Sequence, residues 1–108
     1  MANIRAYIGL DYGGEEWSRD HAAKIICENL NYRGIAACTI LPCFGMWQGE
    51  VENSLCVDLV NADEKAAKTA FKSIAHELAQ WEILYTVGNR SETIHNDATA
   101  ARTLLNQA

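Results

Sequence analysis

The sequence predicts an α+β fold for a single domain over residues 1–108, with elements in the order strand, helix, strand, strand, helix, strand. Two observations favour this class. Segments whose apolar residues alternate with polar ones, as is typical of strands, take turns with segments whose apolar residues recur every three or four positions, as is typical of helices. The length is that of one common domain, and the sequence contains neither a linker nor an internal repeat.

The first strand and the first helix occupy the N-terminal third of the chain. Residues 4–11 alternate in polarity and predict a strand, which a pair of glycines ends. Glu15 and Glu16 suit the positively charged N-terminal end of the helix that follows. The apolar residues of that helix, at helical spacing, are Trp17, Ala22, Ile25, Ile26 and Leu30.

The second and third strands follow this helix. Residues 29–34 end the helix, and residues 35–41 predict a strand that Pro42 breaks, because proline cannot donate a hydrogen bond to a strand ladder. The third strand, over residues 54–60, has the clearest alternation. Its apolar face consists of Leu55, Val57 and Leu59.

The second helix and the fourth strand complete the pattern. Asn61, with Glu64 three residues later, predicts a capping box at the start of the helix. One apolar stripe runs along this helix: Ala67, Ala70, Phe71, Ile74 and Leu78. Residues 83–87 predict the last strand, and the apolar spacing over residues 97–107 predicts a short C-terminal helix.

This order of elements predicts a ferredoxin-like sandwich, a four-stranded antiparallel sheet with both helices on one face. The opposite face would be formed by Ser54, Cys56, Asp58 and Val60 of the third strand and by Ala36, Cys38 and Ile40 of the second. These residues are too apolar for a fully wet surface. We therefore expect the C-terminal helix or neighbouring subunits to cover this face.

Charge and hydropathy exclude several classes of function. The fourteen acidic and nine basic residues give a formal net charge of −5, and the basic residues are scattered. A protein that binds nucleic acid needs clustered lysines and arginines, so no nucleic-acid partner is predicted. No segment has the apolar length of a membrane span or the pattern of a signal peptide, and we expect a cytoplasmic protein.

Cysteine and histidine do not form a metal-binding pattern. The four cysteines contain no C-x-x-C pair, and in a reducing cytoplasm they are expected to be small buried apolar residues. The three histidines are far apart in the sequence. We therefore predict neither a metal site nor a cofactor.

The most unusual segment is FGMWQGEVENS at residues 44–54, which joins the second and third strands. Gly45 allows close approach of the backbone, and Trp47 offers an aromatic face that attracts cations. Glu50 and Glu52 would reinforce that preference, so the segment suits a small cationic ligand or an adenine ring. The alternative is a long β-hairpin whose tryptophan packs on a neighbour and whose glutamates are solvated.

Tyr85 in the last strand is a further candidate for contact with a ligand. The alternative is a role in packing, which is common for tyrosine in strands.

The same segment resembles the bacteriophage S-adenosylmethionine (SAM) lyases, long described as SAM hydrolases. The similarity begins near Gly34 and passes through Gly45-Met46-Trp47, where the family has Gly-x-Tyr. It reaches Glu52 in ENSLCV, where the family has a glutamate ahead of a V-x-V strand, and continues through KAAKTAF and WEILYTV. About half of the chain is covered, by pattern more than by identity.

The resemblance implies a ferredoxin-like core that assembles as a trimer, like the PII signalling proteins, and binds SAM between subunits. It implies cleavage of SAM into methylthioadenosine and homoserine lactone, with SAM as substrate and no cofactor. Glu52 would match the catalytic glutamate, and Trp47 would match the active-site tyrosine. Gly45, Glu50 and Tyr85, selected above from the residues themselves, are the further predicted substrate-binding residues.

Two other functions stay open at this point. Tryptophan lacks the hydroxyl of the family's tyrosine, which favours a non-catalytic PII-like protein that binds or sequesters a nucleotide-like small molecule. A protein that inhibits a host factor through its open sheet face is the third possibility, and the acidic charge would suit a basic partner.

Overall fold

The computed structural model describes residues 1–96, as seven strands and two helices. Their bounds, in chain order, are β1 (Ala2–Gly9), β2 (Asp11–Tyr12), β3 (Glu15–Glu16), α1 (Arg19–Tyr32), β4 (Thr39–Trp47), β5 (Glu50–Ala62), α2 (Glu64–Glu77), β6 (Glu82–Val87) and β7 (Arg90–His95). The helix predicted over residues 97–107 lies outside the described residues. Within residues 1–96, neither helix has the length and apolar character needed to cross a membrane.

Five strands form one antiparallel sheet in the order β4-β5-β1-β6-β7. The α+β class is confirmed, and β1, α1, β4, β5, α2 and β6 follow one another as predicted. The predicted number of four strands in this sheet is wrong, because β7 adds a fifth strand at one edge. Ile94 is the one buried residue of β7, so the strand lacks the apolar alternation that predicts strands from sequence.

The start of α1 differs from the prediction. Glu15 and Glu16 belong to the small β2–β3 hairpin, and Ser18 caps the helix by accepting a hydrogen bond from the His21 N–H at 3.1 Å. Trp17, just before the cap, stacks on Tyr12 with ring centroids 4.1 Å apart. Its indole N–H donates to the carbonyl of Leu78 at 2.8 Å. Trp17 therefore fixes the β2–β3 hairpin against the end of α2.

Pro42 does not break the second strand, which runs as β4 from Thr39 to Trp47. Pro42 pairs with Leu55 of β5. Because β4 is the edge strand of the sheet, one of its sides has no ladder, and proline is tolerated where its missing N–H would face outward. The sequence alone does not reveal which strand lies at the edge.

The predicted capping box at Asn61 is absent. Asp63 occupies the N-cap position of α2 without a side-chain capping bond, and Asn61 adopts a left-handed conformation with φ of 55°. The Asn61 N–H donates to Asn3 Oδ1 at 3.0 Å, which ties the end of β5 to the start of β1.

The core lies between the two helices and one face of the sheet. Two of the predicted apolar sets are confirmed in full, since all their members are buried: Leu55, Val57 and Leu59 of β5, and Ala67, Ala70, Phe71, Ile74 and Leu78 of α2 and its C-cap. In the set predicted for the first helix, Trp17 and Ile25 are only partly buried. Residues from β1, α1 and β6 add to this core: Ile4, Ala6, Ile8, Ala22, Ile26, Leu30, Ile83 and Tyr85.

The other face of the sheet, here called the open face, carries no helix among the described residues. The register aligns Leu41, Cys56, Tyr7 and Leu84 in one row across four strands. Tyr7, Leu41 and Leu84 are large side chains that are between 38% and 49% exposed. The open face therefore presents an apolar surface. The predicted face of β4 is one residue out of register: Ile40 and Cys38 pack against the core.

The four cysteines are free and differ in exposure. Cys56 is buried, as predicted for all four, whereas the prediction is wrong for Cys27, which is exposed on α1. Cys38 is half-buried close to Cys27, and burial together with that neighbour raises the pKa of the Cys38 thiol to about 11.

Candidate functional site

The unusual segment of the sequence forms a projecting hairpin, here called the arm and defined as residues 44–53. Strands β4 and β5 stay paired out to Trp47 and Glu50, whereas β1 accompanies β5 only as far as the Gly9–Ser54 pair. The arm therefore extends beyond the sheet. Gln48 and Gly49 make its turn with positive φ values of 50° and 82°, which suits the twist of a two-residue hairpin. The segment therefore forms a long β-hairpin.

Four of the five sequence-predicted site residues share one face of the arm. Gly45 pairs with Glu52, and Trp47 pairs with Glu50. Since side chains alternate along a strand, all four lie on the side that continues the open face. Trp47 is 60% exposed. The arrangement offers an aromatic ring and two carboxylates to a ligand on the same side of the protein.

The structure separates Tyr85 from these four residues. Its ring is buried in the core on the opposite face of the sheet, and the ring centroids of Tyr85 and Phe71 are 6.2 Å apart. Its hydroxyl donates to Glu92, and burial together with that carboxylate raises the pKa of Tyr85 to about 12. These contacts match the packing alternative.

Glu52 lies over Gly9 of the neighbouring strand β1. A Cβ atom on Gly9 would come within 2.6 Å of Glu52 Oε1 and 3.0 Å of Oε2. Because the φ of Gly9 is not positive, the backbone does not require glycine at this position. Because Gly9 has no side chain, the Glu52 carboxylate can lie directly over the β1 backbone. No sequence motif indicates this long-range contact.

Burial raises the pKa of the Glu52 carboxyl, and the nearby Asp11 carboxylate raises it further. The backbone N–H of Asp11 acts in the opposite direction by stabilising the charged form. The fold thus holds a carboxyl group whose negative charge it only partly compensates. An unpaired carboxylate of this kind is available to a cation.

Glu52→Gln is expected to raise the melting temperature at pH 7 by a few degrees at most. A raised folded-state pKa means that the neutral carboxyl favours the fold, and that this advantage is lost as the pH rises through the pKa. The neutral glutamine avoids the loss, so the difference should disappear below the pKa of the unfolded chain. Thermal unfolding from pH 3 to 8 measures this. A stabilisation that is independent of pH would contradict this expectation.

Asn53 anchors the base of the arm on the side opposite Glu52. Its Oδ1 accepts from Arg19 at 3.1 Å, and its Nδ2 donates to Glu16 Oε1 at 2.5 Å. Its carbonyl accepts from the Leu10 N–H at 3.0 Å. These bonds fix the backbone next to Glu52, a role that sequence reasoning missed because the partners are distant along the chain.

Residues 1–96 contain no group of three histidine, cysteine or acidic side chains placed to hold one metal ion.

No protein-family model matches the chain, and no curated protein matches its sequence. The fold is similar to that of a solved structure described as a phage SAM lyase in the apo state. The TM-score is 0.73 at 14% sequence identity, over 86% of this chain and 87% of the other. The protein thus shares the fold of a phage SAM lyase.

Proposed function

We propose that the protein is a SAM lyase that cleaves SAM into methylthioadenosine and homoserine lactone. The observation that carries the proposal is the carboxylate of Glu52, held over Gly9 on the same face as Trp47. SAM bears a sulfonium and an ammonium group, both cations, together with an adenine ring. The likeness in fold to a phage SAM lyase supports the assignment.

The reaction needs little chemistry from the protein. The carboxylate of SAM attacks its own γ-carbon, the bond from that carbon to sulfur breaks, and its electron pair neutralises the sulfonium. No proton moves in this step, and neither a metal nor a general base is required. Holding the substrate in the reactive conformation supplies much of the rate, because the entropy of bringing carboxylate and γ-carbon together is already lost when the substrate binds.

In this proposal Glu52 binds the ammonium group of the substrate and not its sulfonium. A carboxylate beside the sulfonium would stabilise a charge that disappears in the transition state, which would slow the reaction. Trp47 stacks on the adenine ring, and Gly45 keeps the surface beside Glu52 free of a side chain. Glu50 contributes negative potential at the end of the arm. Tyr85 has no part in the site.

We further propose that the working form is a trimer, with the substrate bound between subunits. The face of the arm opposite Trp47 carries Phe44, Met46 and Val51, which are 75%, 75% and 72% exposed. The apolar row of the open face, on the side of the sheet that Trp47 continues, offers a second exposed apolar surface. Exposed apolar area of this kind favours contact with another protein surface, and a closed ring would cover it on every copy.

The proposed biological role is that of a phage protein in the host cytoplasm. By depleting host SAM, it would weaken those restriction systems of the host that depend on methylation. Neither nucleic acid nor membrane is a partner in this scheme.

The second candidate is a protein that binds SAM or a related nucleotide without cleaving it. The absence of a hydroxyl on Trp47 favours that candidate, since indole can stack but cannot accept a hydrogen bond.

Incubation of the purified protein with SAM, followed by chromatography, tests the proposal. We expect methylthioadenosine and homoserine lactone in equal amounts, and none from a mock preparation of cells that lack the gene. A folded protein that SAM stabilises against heat but that forms no product would replace the lyase with the binding function. Neither product nor stabilisation would overturn both.

A further inference from the structure

Ser54 follows Glu52 on the same face of β5, and its side chain is almost fully covered. The residue is 5% exposed, yet no hydrogen bond of the described residues involves its hydroxyl. No side-chain polar atom in residues 1–96 is both inaccessible and unpartnered, so the Ser54 oxygen keeps a small opening to solvent. The hydroxyl has no protein partner in the part of the chain that the structure describes, so its hydrogen-bonding capacity is available to a ligand at that opening.

Gly45 keeps that opening free. Ser54 pairs with Gly9 on one side and with Cys43 on the other, and Gly45 lies two residues beyond Cys43. A Cβ atom on Gly45 would lie 3.0 Å from Ser54 Oγ and 3.8 Å from Glu52 Cγ. Like Gly9, Gly45 has no positive φ, so its backbone does not explain the glycine. We name the space bounded by Gly9, Gly45, Glu52 and Ser54 the glycine recess.

We propose that Ser54 is a substrate-binding residue whose hydroxyl accepts a hydrogen bond from the ammonium group that Glu52 binds. The proposal rests on the proposed function and adds a second ligand to that group. An ammonium has several N–H donors, and the carboxylate and the hydroxyl oxygen can each accept one. A phosphate or carboxylate group is disfavoured in the recess, since Glu52 and Asp11 would repel it. Gly45 acts as a positioning residue, because its missing side chain leaves Ser54 accessible.

Calorimetric binding of two nucleosides tests this assignment. S-adenosylhomocysteine carries the ammonium group and has no sulfonium to cleave, whereas methylthioadenosine lacks the entire amino-acid portion. Ser54→Ala should weaken binding of S-adenosylhomocysteine roughly tenfold, the effect of losing one hydrogen bond to a charged group, and should change binding of methylthioadenosine less than about twofold. Gly45→Ala, which places a methyl group over the hydroxyl, should show the same selectivity. Ser73→Ala on α2, on the other side of the sheet, is the matched control and should change neither.

Each other outcome is decisive. If Ser54→Ala leaves binding of S-adenosylhomocysteine unchanged, the assignment is overturned and the lyase proposal stands. Equal loss of both ligands would indicate a general disturbance of the arm, which also overturns it. A wild-type protein that binds neither nucleoside overturns the assignment, and the product assay with SAM then decides separately whether the proposed function survives.

Discussion

Glu52→Gln is expected to lower the rate of SAM cleavage by a factor of about 100 or more while the protein stays folded. Glutamine has nearly the same shape but no charge, so the ammonium group of the substrate loses its counter-ion. The reaction depends on placing a carboxylate against a carbon within the same molecule, and a displacement of about 1 Å can reduce such a rate about 100-fold. Initial rates of methylthioadenosine formation measure the effect.

The pH dependence and a matched variant make this test specific. Because burial and Asp11 raise the pKa of Glu52, cleavage by the wild type should fall in mild acid, as the carboxylate that is proposed to bind the ammonium becomes protonated. Glu50→Gln removes an equal charge from the exposed end of the arm and should reduce the rate far less. Equal losses in the two variants would show that only the overall negative potential of the arm matters, and Glu52 would lose its assigned role.

Phe44→Asn is expected to dissociate the proposed trimer and to abolish cleavage at concentrations where the wild type is assembled. Phe44 is 75% exposed in the single chain, and covering such a side chain stabilises a contact by roughly 1.5–3 kcal/mol. Its loss at every interface of a ring should raise the dissociation concentration by about 100-fold or more. Sedimentation over a range of protein concentrations measures the mass.

Tyr32→Asn is the control for this variant. Tyr32 is an equally exposed aromatic residue, 80% accessible, at the C-terminal end of α1 and away from the arm. It should leave both mass and cleavage unchanged. A wild-type protein that sediments as a monomer yet cleaves SAM would remove the inter-subunit site, and with it the reason for the exposed apolar side of the arm.

The parts of the fold that the sequence predicts are those in which local periodicity coincides with burial. Leu55, Val57 and Leu59 alternate on a central strand, and the apolar stripe through Phe71 follows a helix. In both cases the spacing of the apolar residues is enough to predict which face is buried. The β7 strand and the passage of β4 through Pro42 depend on which strand lies at the edge, and that is a property of the whole sheet. These two features could not be predicted from the neighbouring residues.

The candidate site divides in the same way. Gly45, Trp47, Glu50 and Glu52 could be selected together because they are close in the sequence and unusual in composition. Gly9 and Ser54 could not, since their significance depends on which strand pairs with which. Tyr85 was selected by residue type alone, and residue type does not tell which face of a strand a side chain occupies.

The contact between Gly9 and Glu52 has a consequence for how related sequences can diverge. The carboxylate occupies the volume that a side chain on Gly9 would need, with a Cβ atom only 2.6 Å from Glu52 Oε1. Alanine at position 9 would therefore displace the Glu52 carboxylate from its position over β1, and a change at either position alters the surroundings of the other. Relatives that keep the carboxylate should keep glycine on β1, and those that gain a side chain there should have moved their acidic group elsewhere. In a comparison of otherwise dissimilar sequences, the residues at positions 9 and 52 would then show which proteins have kept this arrangement and which have lost it.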